Sequence, residues 1–426
     1  MNVYDAAIER LDYIFAEFDN VYVSFSGGKD SGILLNLCIE YIRKNNLDRK
    51  LGVFHIDYEA QYQMTTDYVF DELTKNSDIL DVYHICLPIS AQCATSMNDN
   101  HWIPWDADKR DIWVRDAPAY AITEDNHQFD FFQKGMWDYD FQEAFLGWYH
   151  SHKGAEKTCC LVGIRADESL NRWRAIYADR NINKWKRKSW TRKFTNDTCN
   201  AYPIFDWRAK DVWVANGRFK WQYNELYDLY YKAGLTIDKM RVASPFNDCA
   251  IDSLKLYKAI DPNNWAKMVG RVDGVNFSAI YGGTTAMGWK SIKLPKNHTW
   301  ESYMYFLLDT LPIKTKENYL SKLATSIKFW KEKGGVLSEE TIQKLKDRNI
   351  DISISETTNY KTEKKPVRMA YQDDIDISEF KEIPTFKRMC ICIMKNDHLC
   401  KYMGFSQTKN ELIKRKNVVE KYNNIL

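Results

Sequence analysis

Apolar and polar residues change period several times along the first hundred positions, and each change marks an element. From Asp5 to about Phe18, Ile8, Leu11, Ile14, Phe15 and Phe18 share one helical face, and Asp19-Asn20 break it. Val21, Val23 and Phe25 then fit a buried strand, while Ile33, Leu34, Leu37, Cys38 and Ile42 return to helical spacing. Leu51 to Ile56 is a second short apolar strand, closed by Asp57, Tyr58 and Glu59 and followed by a helical stretch around Tyr68, Phe70 and Leu73. Ile79 to Leu87 reads as a third strand ending at Pro88. Strands that alternate with helices in this way predict an α/β fold built on a doubly wound parallel sheet with right-handed crossovers.

Beyond Pro88 the periodicity weakens. Residues from about 89 to 154 read as an aromatic-rich insertion with a helix near Asp138 to Tyr149, in which Trp102, Trp105 and Trp113 serve the core of a lid or subdomain. The sheet resumes at Thr158 to Ile164, where vicinal Cys159 and Cys160 point to opposite faces and read as packing residues. Asp206 reads as a helix N-cap and Gly234 as a helix stop, which closes a first domain at 1–235. A mainly helical extension at 236–360 and a C-terminal segment at 361–426 follow. Within them Asn318 to Glu332 and Ser338 to Arg348 read as helices joined at Gly334-Gly335, and Lys361 to Pro366 as a charged linker. The glycine-rich run Tyr281 to Gly288 reads as loop, because no strand-helix frame brackets it. Cys390 and Cys392 are expected to share one face of a strand, with His398 and Cys400 close behind. Their spacing matches no standard metal site and favours packing.

The chemistry concentrates where the first strand meets its helix. Between Ser24 and Ile33 stand Ser26-Gly27-Gly28-Lys29-Asp30-Ser31, a turn at the carboxyl end of a strand, which is where open α/β sheets bind ligands. Glycines let backbone N–H groups approach an anion, Lys29 adds charge, and Asp30 and Ser31 lie where the free donors of a helix point outward. A phosphate chain suits that cradle, and the glycine-to-lysine spacing is not that of a Walker A loop. A second polar block, Gly163-Ile164-Arg165-Ala166-Asp167-Glu168-Ser169 with Arg172 and Arg174 beyond it, opens at the same sheet edge, where arginines can meet phosphate with paired donors. The tract Trp185 to Lys193 interleaves charge and ring, as either a surface loop or a nucleic-acid contact does.

Composition narrows the class without choosing a partner. The 426 residues are 45% hydrophobic, enough for a large core and two or three domains, and carry 60 basic against 58 acidic side chains. Any nucleic-acid contact must therefore come from a local patch. Ten cysteines without a dense framework, no secretory leader pattern and no long uncharged apolar run lead us to expect a soluble, cytoplasmic protein with no membrane association. The oligomeric state is left open.

Four blocks occur in order: Ser26 to Ser31, Asp57 to Glu59, Gly163 to Arg172, and Pro203 to Trp213 with Asn224 to Tyr227. The first resembles the PP-loop of ATP pyrophosphatases. Together, over about the first 235 residues, the four resemble the phosphoadenosine phosphosulfate reductase family, which includes the small subunit of sulfate adenylyltransferase. The resemblance implies a sheet of the adenine nucleotide α-hydrolase-like type. It also implies that ATP with Mg²⁺ is cleaved between the α and β phosphates to adenylylate or activate an acceptor. Ser24, Ser26, Gly27, Gly28, Lys29, Asp30, Ser31, Asp57, Glu59, Gly163 and Arg165 would then line the nucleotide. Lys29, Arg165 and Arg172 would face the reacting end, and Asp57 would meet the metal ion.

Two departures shape the expectation. No Cys-Gly dipeptide occurs, although reductase members carry one around their nucleophile, so thiol reduction of a sulfonucleotide is disfavoured. The long C-terminal extension with Arg388 to His398 resembles the immunoglobulin-binding regulator A-like branch, whose companion is a protein of the ParB/sulfiredoxin fold. The alternative function is a nucleotide-dependent regulatory or nucleic-acid-associated protein without turnover, motivated by the tryptophan-rich insertion and the Trp185 to Lys193 tract.

Overall fold

The computed structural model describes residues 2–96, 99–168, 172–173, 176, 183–240, 242, 244–247, 250–281, 292, 294–354 and 364–405. They form two compact units, one of residues 2–92 with 101–273, the other of 93–100 with 274–405.

The first unit is the α/β sheet. Helix α1 (Val3–Glu17) starts at Asn2, whose side chain accepts the Asp5 N–H at 2.9 Å, and it buries Ala7, Leu11 and Ile14 on one face. β1 (Asn20–Ser24) runs into α2 (Lys29–Lys44), β2 (Leu51–Ile56) into α3 (Gln63–Lys75), and then comes β3 (Leu80–Ile85). After the insertion, α4 (Asp138–Lys153) leads to β4 (Thr158–Val162), and β5 (Thr191–Lys193) and β6 (Thr198–Ala201) complete six strands. Their order is β3-β2-β1-β4-β6-β5, parallel throughout except for the β5–β6 pair. The doubly wound parallel part of the sheet is as the sequence periods predict, whereas the antiparallel edge pair, which takes in Thr191 to Lys193 of the tract read as loop or nucleic-acid contact, is not; β1 sits near the middle of the six strands.

Alternation along β1 divides the core in two. Val21 and Val23 pack with α1 and α2, whereas Tyr22 faces the other side among Phe54, Tyr83, Phe141, Phe145 and Tyr149. Cys159 and Cys160 split between the same two faces, as the strand pleat demands. α4 supplies the second face at helical spacing with Phe141, Phe145 and Tyr149, and it stops at Gly154 in a left-handed conformation, φ 59°.

Asp206 does not cap a helix. It forms a two-pronged ion pair with Arg10, at 2.8 and 2.6 Å, and Arg10 also donates to the Pro203 carbonyl. That clamp holds the turn, so α5 (Ala209–Phe219) begins three residues later and the Asp211 carboxylate accepts the Arg208 N–H at 2.8 Å. α6 (Leu226–Lys232) ends before Gly234, φ 81°, and α7 (Pro262–Arg271) closes the unit behind Pro262 at its first turn.

The second unit is mainly helical around a small sheet. α8 (Trp300–Asp309), α9 (Ile313–Glu332), α10 (Glu339–Asp347) and α11 (Phe386–Met394) accompany an antiparallel sheet of β7 (Gly335–Leu337), β8 (Ile352–Ile354) and β9 (Lys365–Met369). The Gly334-Gly335 junction is thus the entry to a strand and not a plain helix connection. Lys365 and Pro366, read as the end of a linker, open β9, while 355–363 and the glycine-rich 282–288 lie outside the described residues. Cys390 and Cys392 sit on α11, contrary to the strand reading. Thr385 caps that helix by accepting the Arg388 N–H at 3.3 Å, and Met389, Cys390, Cys392 and Ile393 are all buried. A helix buried nearly all round carries no clear period, which is why its sequence resembles a strand.

Candidate functional site

The loop between β1 and α2 owes its shape to two glycines with different duties. Gly27 takes φ +72°, and a Cβ there would stand 2.8 Å from Val69 Cγ2 and 3.0 Å from Thr65 Cγ2. Gly28 is extended and occupies the helix N-cap position, where it supplies no side-chain cap of its own. Ser31 ties the loop together: its hydroxyl accepts the Ser26 N–H at 3.1 Å, lies 3.0 Å from Ser26 Oγ and donates to the Gly28 carbonyl at 3.1 Å. Asn224 pins the other side, donating to the Gly27 carbonyl at 3.2 Å and to Thr65 Oγ1 at 2.9 Å. Tyr227 OH accepts the Lys29 N–H at 3.1 Å. Ser24 is the last residue of β1, in register with Val162 of β4.

The second block meets the loop directly. A Cβ on Gly163 would lie 2.9 Å from the Ser31 nitrogen and 3.0 Å from the Asp30 carbonyl, so the backbone after β4 packs against the start of α2 only because residue 163 lacks a side chain. Asp30 joins the two blocks, with one oxygen 2.8 Å from Lys29 Nζ and the other 2.6 Å from Arg165 Nε. Arg165 is buried and also reaches Asp167 at 2.5 Å and Glu168 at 3.8 Å. The structure therefore brings Ser26 to Ser31, Gly163 and Arg165 into one cradle. Arg172 stands farther out, half-exposed and paired with Glu168.

Asp57 and Glu59 follow β2 at the same sheet edge but are both locked. The Asp57 carboxylate accepts from Arg115 at 2.5 Å, from the Glu59 N–H at 2.9 Å and from His84 Nε2 at 2.9 Å, while its carbonyl takes the Trp105 indole N–H at 2.7 Å. Burial alone would raise the Asp57 carboxyl, yet the Arg115 charge and the His84 hydrogen bond hold it well below the usual carboxylate range. Glu59, fully buried at φ 60°, receives both arms of Arg271 at 2.8 and 3.0 Å and the N–H groups of Trp105 and Val114. All four oxygens are thus spoken for. Mg²⁺ prefers oxygen ligands and several retained waters, so a dry set containing imidazole and guanidinium does not suit it, and the expected metal role of Asp57 as a magnesium ligand finds no support here.

His55, His84, Arg115 and Arg271 escaped the sequence reading, which offered one signal, the i, i+2 spacing of His55 and Asp57, and lacked the strand register that brings in His84. His55 and Asp57 are two residues apart at a strand end and so share a face, and His55 is in direct register with His84 across β2 and β3. Burial, then the neighbouring His84, push the His55 imidazole down to about 3, so it is neutral at ordinary pH.

The aromatic tracts are core. Trp102, Trp105, Trp185 and Trp190 are buried, Trp185 against Phe18 and Trp190 edge-on to Tyr13, and Lys186 pairs with Glu17. That arrangement leaves these rings no face for base stacking. Among the described residues no helix is long and apolar enough to cross a membrane.

Residues 115–233 match the phosphoadenosine phosphosulfate reductase domain, and residues 234–414 match a domain of unknown function (DUF3440). The uncharacterized protein YbdN of Escherichia coli strain K12 is 33% identical over 424 residues, spanning 98% of this chain and 94% of that protein. Among solved structures, the phosphoadenylyl-sulfate reductase of Candida auris is 13% identical over 54% of this chain and 85% of its own, with a TM-score of 0.28. The FMN adenylyltransferase of Candida glabrata in complex with FAD and pyrophosphate is 14% identical over 53% and 59%, with a TM-score of 0.31.

Proposed function

The chain belongs to the phosphoadenosine phosphosulfate reductase family, in the form that carries a long C-terminal extension, and from that premise we propose that it binds ATP in the Ser26–Ser31 loop and cleaves it between the α and β phosphates. An acceptor oxygen attacks the α-phosphorus, the bond to the bridging oxygen breaks, and pyrophosphate leaves while the acceptor keeps the adenylyl group. The observation that carries this reading is the glycine-led start of α2, with no side chain at its N-cap residue, beside two convergent cations, Lys29 and Arg165, both gathered on Asp30. Helix N–H donors suit the outer phosphates, and a buried arginine suits charge developing at the reacting oxygens. Arg172, on the outer rim, would screen the leaving pyrophosphate. Magnesium would accompany the triphosphate chiefly through phosphate oxygens and water, given that Asp57 and Glu59 are already paired.

Gly28→Val tests the loop. The added Cβ meets Ser26 Oγ and Val242 Cγ2 at 3.3 Å, close but tolerable for the fold, while the side chain intrudes where phosphates would lie. Calorimetry should show ATP affinity lost by at least about tenfold, or about 1.4 kcal/mol, in a variant that melts normally. Unchanged affinity in folded protein removes the assignment. Pyrophosphate release, measured with sulfate, RNA or DNA as candidate acceptors, identifies the second substrate.

A further inference from the structure

Among the described residues, the group of metal-ligating side chains that stands out is His55, Asp57 and His84, which offer one ligand atom each within 4.8 Å of one another. We propose that these three residues form a binding site for a divalent transition ion, separate from the phosphate loop and independent of the adenylyl-transfer reading.

Four features of these residues carry it. The His55 Nδ1–H donates to the Phe25 carbonyl at 2.7 Å, which fixes the tautomer and leaves Nε2 with its lone pair. Metal-bound histidines are oriented by this kind of backbone bond. Asp57 has one oxygen held by Arg115 and the other turned to His84, so it presents a single, already oriented oxygen. His84 is 2% exposed and its Nδ1 has no hydrogen-bond partner, a buried polar atom that the protein alone leaves unsatisfied. The three sit on adjacent strand ends in fixed register, His55 opposite His84, so the set is built into the sheet and not a chance of loop placement.

Two imidazole nitrogens with one carboxylate oxygen favour Zn²⁺, Co²⁺, Ni²⁺ or Fe²⁺ over Mg²⁺ or Ca²⁺. Binding through His84 Nε2 replaces the His84–Asp57 hydrogen bond by two bonds to the ion, and the proton that bridged them passes to His84 Nδ1, so both imidazoles stay neutral and keep one N–H each.

Cobalt(II) is the probe. Full-length protein, stripped with chelator and titrated with Co²⁺ in the absence of nucleotide, should take up one equivalent and develop visible d–d absorption. Its proton spectrum should contain paramagnetically shifted imidazole N–H signals from two histidines. His55→Ala and His84→Ala should each weaken binding at least tenfold, whereas His152→Ala, on the exposed end of α4, should not. The wild-type spectrum decides the matter even if a variant fails to fold. Absence of a stoichiometric site, absence of shifted imidazole signals, or unchanged affinity in both folded variants overturns the proposal. ATP binding is measured separately, so loss of one reading leaves the other standing.

Discussion

Single atoms decide what several positions tolerate. Gly163→Ala would place a methyl group 2.9 Å from the Ser31 nitrogen, against backbone that cannot rotate away. The start of α2 must shift, at about 1–3 kcal/mol by analogy with overpacked cores. We expect a lower melting temperature and weaker ATP binding together, in contrast to Gly28→Val, where binding falls and the melt holds. Glu72 poses the opposite problem. Neither of its oxygens is hydrogen-bonded, the residue is fully buried, and burial raises its pKa against only a distant Lys75 at 4.0 Å. A carboxyl whose folded pKa exceeds its unfolded value adds no penalty below the unfolded pKa and loses stability as pH rises above it, because the unfolded chain then ionises first. Glu72→Gln should accordingly melt higher than wild type at pH 8 and converge with it near pH 4. Parallel melting curves across that range would contradict the assignment.

At the scale of elements, legibility followed periodicity. β1, α2 and β2 could be read because Val21 and Val23 alternate into one core, Leu34, Leu37 and Cys38 return to it at helical spacing, and Leu51 and Val53 alternate into it again. The phosphate loop could be read because two glycines and a lysine have few other uses at a strand end. α11 could not, since its apolar residues surround it, and the Asp206 cap could not, since its partner Arg10 lies 196 residues away. His55 and His84 needed strand register, and Arg271 needed a contact 212 residues distant, information that no local pattern contains. That last contact fastens α7 to the end of β2. Arg271→Leu would strand the buried Glu59 charge and should cost about 3–5 kcal/mol in chemical denaturation. Arg271→Lys keeps the charge but not the two-armed geometry, and should fall between.

For the molecule as a whole, the question is which branch of family chemistry the chain has kept. Thiol reduction of a sulfonucleotide needs an accessible cysteine with a lowered pKa. Cys390, Cys392 and Cys400 are buried in the second unit, in the core with Trp300, Met304 and Tyr319. Burial pushes the Cys390 thiol up to about 12 and Cys392 well above the ordinary thiol value. In the first unit Cys38, Cys86, Cys159 and Cys160 are likewise buried, with thiols pushed up by desolvation. None of these has the electropositive, solvent-facing setting of a nucleophile. Purified protein given phosphoadenosine phosphosulfate and reduced thioredoxin should produce no sulfite, while pyrophosphate release from ATP should survive Cys390→Ser and Cys392→Ser in folded protein. Sulfite that disappears in either variant would move the function to the reductase branch. It would also require the second unit to open around α11 during turnover, which hydrogen exchange along Phe386–Met394 would detect.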